Sequence, residues 1–173
     1  ENTVELSGMG TTLTGVLAVT ERDIEEETPI QSALAIVFNV GDSRTFLVNG
    51  HRYAPLTKDH SLVQELVDAG KITEEEAFYH PQKNIISQAI GTGNTIKPDV
   101  FSFTIPLDAF VVVASDGLTD LVHPRELMNI AGKCENAKEL AHALLDSALK
   151  AGGSDNVTII VAMPRLVTKK SLN

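Results

Sequence analysis

The chain has 173 residues, with 14 Lys+Arg against 23 Asp+Glu and a net charge of −9. That length suits one domain, and 43% hydrophobic with 21% charged residues is the composition of a folded chain, not a disordered one. The acidic balance excludes the basic stripe that a nucleic-acid partner needs, and no apolar run approaches the roughly 20 residues of a membrane span. The single cysteine, Cys134, cannot form an internal disulfide, which fits an intracellular, cytoplasmic chain. Glu1-Asn2-Thr3 carries no signal pattern. The missing initial Met suggests a processed chain, a fragment or an edited sequence.

Thr11 to Val19 is a Thr- and Val-rich strand, and the charged run Glu21 to Thr28 is a solvated loop before Pro29. Ser32 to Val40 and Thr45 to Val48 are strands, and Asn49-Gly50 predicts a hairpin into Tyr53 to Leu56. The first third therefore reads as an antiparallel meander. Ser61 to Ala69 places Leu62, Leu66 and Ala69 at helical spacing, and Thr73 with Glu76 signals the cap of a second, short helix. Asn84 to Gly91 returns to extended apolar chain. The stretch from about Lys58 to Ile86 thus forms a charged helical insertion, a candidate lid.

Val100 to Ile105 alternates as a half-buried strand, and Phe110 to Ala114 is continuous and apolar, as in a central strand. Pro124 to Ala131 and Ala137 to Lys150 are helices, the second with Leu140, Ala141, Leu144, Leu145 and Ala148 on one face. Asn156 to Met163 is the last strand, and residues from Pro164 on form a tail. Strands and helices do not alternate, so the fold class is α+β, a layered sheet protein.

Three aspartates carry the chemical signal. Asp42 follows the run ending at Val40, Asp116 follows the run ending at Ala114, and Asp155 precedes the run starting at Val157. In an antiparallel sheet the end of one strand lies beside the start of its neighbour, so Asp116 and Asp155 can meet at one rim and Asp42 can join them. Clustered carboxylates repel, and a bound cation relieves the repulsion. Oxygen-only donors select Mg²⁺ or Mn²⁺ over zinc, and two such ions sharing a carboxylate activate water against a phosphoryl group.

Each aspartate alone is an ordinary turn residue, so the joint spacing carries the case, and a plain domain whose aspartates are all turn formers stands as a third reading. Asp120 reads alone as a cap for the helix near Pro124. Ser43 and Ser115 stand beside acids without a companion His. Arg44 fits either a phosphate or a nearby carboxylate. His60 reads as a helix-start residue, Cys134 as inert, and Gly8-Met9-Gly10 is too weak for a phosphate loop.

Six stretches, in order, resemble the metal-dependent protein Ser/Thr phosphatases of the protein phosphatase 2C (PPM) type. They are GMGTTLTGVL (Gly8 to Leu17), VGDSRTFL (Val40 to Leu47), LTKDHSLVQELVDAGKIT (Leu56 to Thr73), HPQKNIISQAIG (His80 to Gly91), FVVVASDGLTDLV (Phe110 to Val122) and GGSDNVTIIV (Gly152 to Val161). The HPQKNIISQAIG form is similar to the bacterial branch, whose members oppose Ser/Thr kinases. The resemblance implies a four-layer α-β-β-α sandwich of two antiparallel sheets flanked by helices, with the segment from about 58 to 86 as a flap. Asp116 and Asp155 match ligands of a catalytic Mn²⁺ or Mg²⁺ pair, and Asp42 and Asp120 match positions of a third ion. Lys58, His60 and Lys71 fall on the flap side, as candidate substrate contacts. The implied reaction is hydrolysis of phosphoserine and phosphothreonine esters in phosphoprotein substrates by metal-activated water, in a signalling pair with a cognate kinase.

The resemblance also implies that residues 1–173 are the C-terminal part of one catalytic domain, incomplete at the N-terminus. The family's early acidic residue, its metal-bridging Asp-Gly pair and its phosphate-holding Arg have no match here, since Asp116-Gly117 is the one Asp-Gly pair present. Such a chain is expected to bind metal weakly, to have little or no activity by itself, and to favour fragment pairing or strand exchange. The alternative is a non-catalytic, phosphatase-like regulatory module.

Overall fold

The computed structural model describes residues 8–19, 32–92 and 95–164. The loop expected at Glu21 to Thr28 and the tail beyond Pro164 lie outside them. The first sheet pairs β1 (Leu13–Val19), β2 (Ser32–Val40) and β5 (Asp99–Pro106), all antiparallel, with Leu13 opposite Val40 and Ala35 opposite Phe103. The second has the order β4 (Tyr53–Pro55), β3 (Arg44–Val48), β6 (Phe110–Ala114), β7 (Ile159–Ala162), also antiparallel. The helices are α1 (Leu62–Asp68), α2 (Glu74–Phe78), α3 (Asp116–Thr119), α4 (Pro124–Ala131) and α5 (Ala137–Lys150). The two antiparallel sheets flanked by helices expected from the sequence are therefore present.

The chain crosses between sheets in the turn from β2 to β3. Gly41 there has φ +105°, and a Cβ on it would lie 2.6 Å from Thr12 Cβ. Glycine alone tolerates both the left-handed backbone and the close approach. This turn carries Asp42.

Two cores follow from the layering. Between the sheets, Ala35, Val37 and Ile105 of the first meet Leu47 and Val111 of the second. On the other side of the second sheet, Phe46, Val48, Phe110 and Val112 pack against Leu118, Leu127, Leu140 and Leu144. Strands β3 and β6 are thus covered on both faces, which is why Phe110 to Ala114 reads as an unbroken apolar run. The opposite face of the first sheet leaves Leu13, Leu17, Leu34 and Val100 exposed.

The helix starts follow their caps. Ser61 accepts from the Gln64 N–H, Thr73 and Glu76 form the expected capping box, and Asn136 accepts from the Glu139 N–H. Several expectations are corrected. Asn84 to Gly91, read as extended apolar chain, pairs only through the isolated bridges Ser61–Ile86 and Thr11–Ile90. The last strand covers Ile159–Ala162, since the residues before it are held by the β6 turn. Asp120 ends α3, and His123 caps α4 instead. His60 does not start α1. In α1 the buried residue is Val63, not Leu62, Leu66 or Ala69, because this short helix lies over the cleft described below. No helix among the described residues is long and apolar enough to cross a membrane.

Candidate metal centre

Register places the acids. Arg44 at the start of β3 faces Ala114 at the end of β6, and Ala114 also faces Ile159 at the start of β7. The turns carrying Asp42, Asp116 and Asp155 therefore leave the second sheet at one end, and α3 adds Asp120 one helical turn after Asp116. Ser115 staples two of these turns. Its Oγ donates to the Asn156 carbonyl at 3.1 Å and accepts from the Thr158 N–H at 3.0 Å. A Cβ on Gly117 would lie 2.3 Å from the Asn156 carbonyl oxygen, so the Asp116 and Asp155 loops touch through backbone. Ser115 is thus a brace, a role that its position beside an acid did not reveal.

The electrostatics record the crowding. Burial, then the charge of Asp116, pushes the Asp42 carboxyl up to about 6 from 3.8, against a backbone hydrogen bond that lowers it. Burial, then Asp120 and Asp155, raises Asp116 above the usual carboxylate range. Asp42 thus feels Asp116 and Asp120, and Asp116 feels Asp120 and Asp155. Asp116 Oδ1 accepts from the Gly117 N–H at 2.9 Å and Asp155 Oδ1 from the Asn156 N–H at 2.6 Å, which orients both.

Among the described residues no three His, Cys, Asp or Glu side chains converge as a ready cage for an ion. A Mg²⁺-type ion does not require one, because it is held by one or two carboxylates and keeps several waters. The donors are all oxygen, two of them have raised pKa values, and the buried Asn39 Oδ1 and Thr119 Oγ1 behind the rim lack a hydrogen-bond partner among the described residues. This donor chemistry fits a hard divalent cation.

The surrounding residues position the rim. Arg44 pairs with Asp59 through Nε at 2.9 and 3.0 Å and Nη2 at 2.6 Å, so the carboxylate reading of Arg44 holds. His60 braces the Asp42 turn from behind. Its Nδ1 accepts from the Gly41 N–H at 3.2 Å and meets Gln88 Nε2 at 2.8 Å, which assigns the ring proton to Nε2, facing Asp99 Oδ2 at 3.2 Å. With both nitrogens engaged, the ring is a buttress here. Lys58 pairs with Asp68 at 2.6 Å on the exposed base of the flap, and Lys71 lies exposed in the α1–α2 turn. Burial and then Glu139 raise the thiol pKa of Cys134.

The flap docks on the corner between α3 and α4. His123 Nδ1 accepts from the Arg125 N–H, so Nε2 donates to Glu75 Oε2 at 3.0 Å, and Phe78 meets the same imidazole edge-on at 5.1 Å. Lys83 Nζ donates to the Asp120 carbonyl at 2.8 Å and lies 3.5 Å from its carboxylate. Sequence reading missed both contacts, because Lys83 and Asp120 are 37 residues apart. A cleft of about 700 Å³ opens under the flap, lined among others by Arg44, Tyr53, Asp59, Phe78 and Asp120.

Comparison with known proteins bears on the fold and the family. Residues 87–157 match the Protein phosphatase 2C family. The chain is 40% identical over 152 residues to the protein phosphatase PhpP of Streptococcus pneumoniae, covering 88% of this chain and 57% of that one. It superimposes on the crystal structure of the serine/threonine phosphatase Stp1 from Staphylococcus aureus with TM-score 0.80 and 35% identity, over 94% of this chain and 59% of that one. The catalytic domain of the phosphatase PstP, solved in complex with two manganese ions, gives TM-score 0.71 at 33% identity, over 91% and 60%. The fold is that of the protein phosphatase 2C class. Within that class the chain belongs with the bacterial-type PPM protein Ser/Thr phosphatases, and it spans about three-fifths of the length of the relatives it matches.

Proposed function

We propose that the rim of Asp42, Asp116, Asp120 and Asp155 is part of a divalent-metal centre that hydrolyses phosphoserine and phosphothreonine esters in proteins. The observation that supports this is the β3–β6–β7 register, which gathers four acids from three distant stretches at one sheet end. Mg²⁺ or Mn²⁺, when bound, supplies a water acidic enough to attack phosphorus and neutralises charge on the phosphoryl oxygens. Asp116 and Asp155 hold the catalytic pair, and Asp42 with Asp120 a third ion. Ser115 and His60 keep these carboxylates in place. Lys58 and Lys71 are the flap's contacts for a phosphoprotein, and a Ser/Thr kinase must supply the ester consumed. We read residues 1–173 as the C-terminal part of one catalytic domain, acting in the cytoplasm.

A second reading, a phosphatase-like regulatory module without metal, draws on the absence of a three-ligand cage among the described residues. Mn²⁺ titration followed by thermal melting separates the two. A metal centre gives a melting temperature that rises with Mn²⁺ in the natural chain and stays fixed in Asp116→Asn and Asp155→Asn. A melting curve indifferent to Mn²⁺ selects the regulatory module. Phosphate release from a phosphothreonine peptide is expected to be slow, since no more than pairs of these carboxylates converge; fast release abolished by Asp116→Asn would show a complete centre.

A further inference from the structure

Lys83 closes the flap onto the acidic rim. Its ammonium donates to the Asp120 carbonyl at 2.8 Å, lies 3.5 Å from the Asp120 carboxylate, and sits 5.3 Å from the centre of the Phe78 ring on α2. Arg44, a further cation lining the same cleft, is engaged by Asp59. The base of the flap is closed separately, by Leu62 N–H to the Ile85 carbonyl at 2.9 Å and Ser87 N–H to the His60 carbonyl at 2.8 Å. The flap is therefore held on the corner between α3 and α4 by Lys83 on Asp120 and by Glu75 and Phe78 on His123.

We propose that Lys83 is a positioning residue that latches the flap by occupying Asp120, and that a divalent ion competes with its ammonium for this carboxylate. Ion binding then releases the flap end while its base stays closed. The inference rests on the metal reading above. An ammonium and a divalent cation at one carboxylate repel each other, so the two compete for Asp120. Thermodynamic linkage makes the effect reciprocal: what the ion does to the latch, the latch does to the ion.

The test uses Mn²⁺ alone, with affinity read by electron paramagnetic resonance and flap opening by amide hydrogen exchange over residues 62–83. In Lys83→Met, Mn²⁺ affinity is expected to rise by about tenfold, within the usual range of coupling between sites. Flap exchange in this variant is fast with or without Mn²⁺. In the natural chain Mn²⁺ accelerates flap exchange, and Lys83→Arg retains that acceleration. In the Asp120→Asn background, Lys83→Met no longer changes affinity. Equal or weaker Mn²⁺ binding by Lys83→Met, or flap exchange unmoved by Mn²⁺ in the natural chain, overturns the latch and leaves the metal centre standing. Failure of both chains to bind Mn²⁺ overturns the metal centre and the latch with it.

Discussion

The two sheets of this protein have unequal surroundings. The middle strands of the second, β3 and β6, are buried on both faces, between the first sheet and the layer formed by α4 and α5. The first is buried on one face, and Leu17 on the other is 58% exposed. Each contains a long apolar strand, β2 in the first and β6 in the second, so hydrophobicity alone does not distinguish them. The difference teaches where the site has to be built. The acids emerge at the ends of β3 and β6, whose positions are fixed from both sides, and at the start of the edge strand β7 beside them. A functional group is held well only by elements that cannot shift.

Truncation tests this contrast most strongly. Leu144→Ala should cost about 2–5 kcal/mol in urea unfolding, because a cavity opens behind β6. Leu17→Ala should change stability by less than about 0.5 kcal/mol, as an exposed side chain does. Equal losses at the two positions would mean that the first sheet's outer face is covered in solution. Next comes the ion pair behind the rim. Arg44→Met should cost about 3 kcal/mol by leaving Asp59 buried and unpaired, and adding Asp59→Asn should recover most of it.

Metal comes third in size. At a Mn²⁺ concentration 100 times its dissociation constant, the natural chain should gain about 2.7 kcal/mol, and Asp116→Asn should gain none. The smallest effect is that of pH. Asp42 titrates at about 6 when folded against 3.8 as its ordinary value, so the folded state keeps a proton that the unfolded state has released. Its contribution is most favourable below 3.8, and stability falls as pH rises from there to about 6. Asp42→Asn should flatten that part of the profile in unfolding experiments, and Mn²⁺ should do the same by neutralising the rim. A profile that keeps its slope in Asp42→Asn would assign the titration to another acid.

Much of this molecule was legible in its residues. Ser32 to Val40 and Phe110 to Ala114 announced buried strands by unbroken hydrophobicity, and Thr73 with Glu76 announced a helix start, because these signals are local. The pattern of acids at strand ends also gave their shared rim, since antiparallel pairing ties the end of one strand to the start of the next. What stayed hidden was set by contact between distant segments. His60 looked like the start of a helix and became the brace of the Asp42 turn. Ser115 stood beside an acid without a companion His and became the staple between two loops. The seating of Lys83 on Asp120 and of Glu75 on His123 depends on how a helical insertion folds back over a sheet edge. Periodicity and capping report the conformation of a few neighbouring residues; which side chains meet across a fold is decided by packing, and only the assembled layers show it.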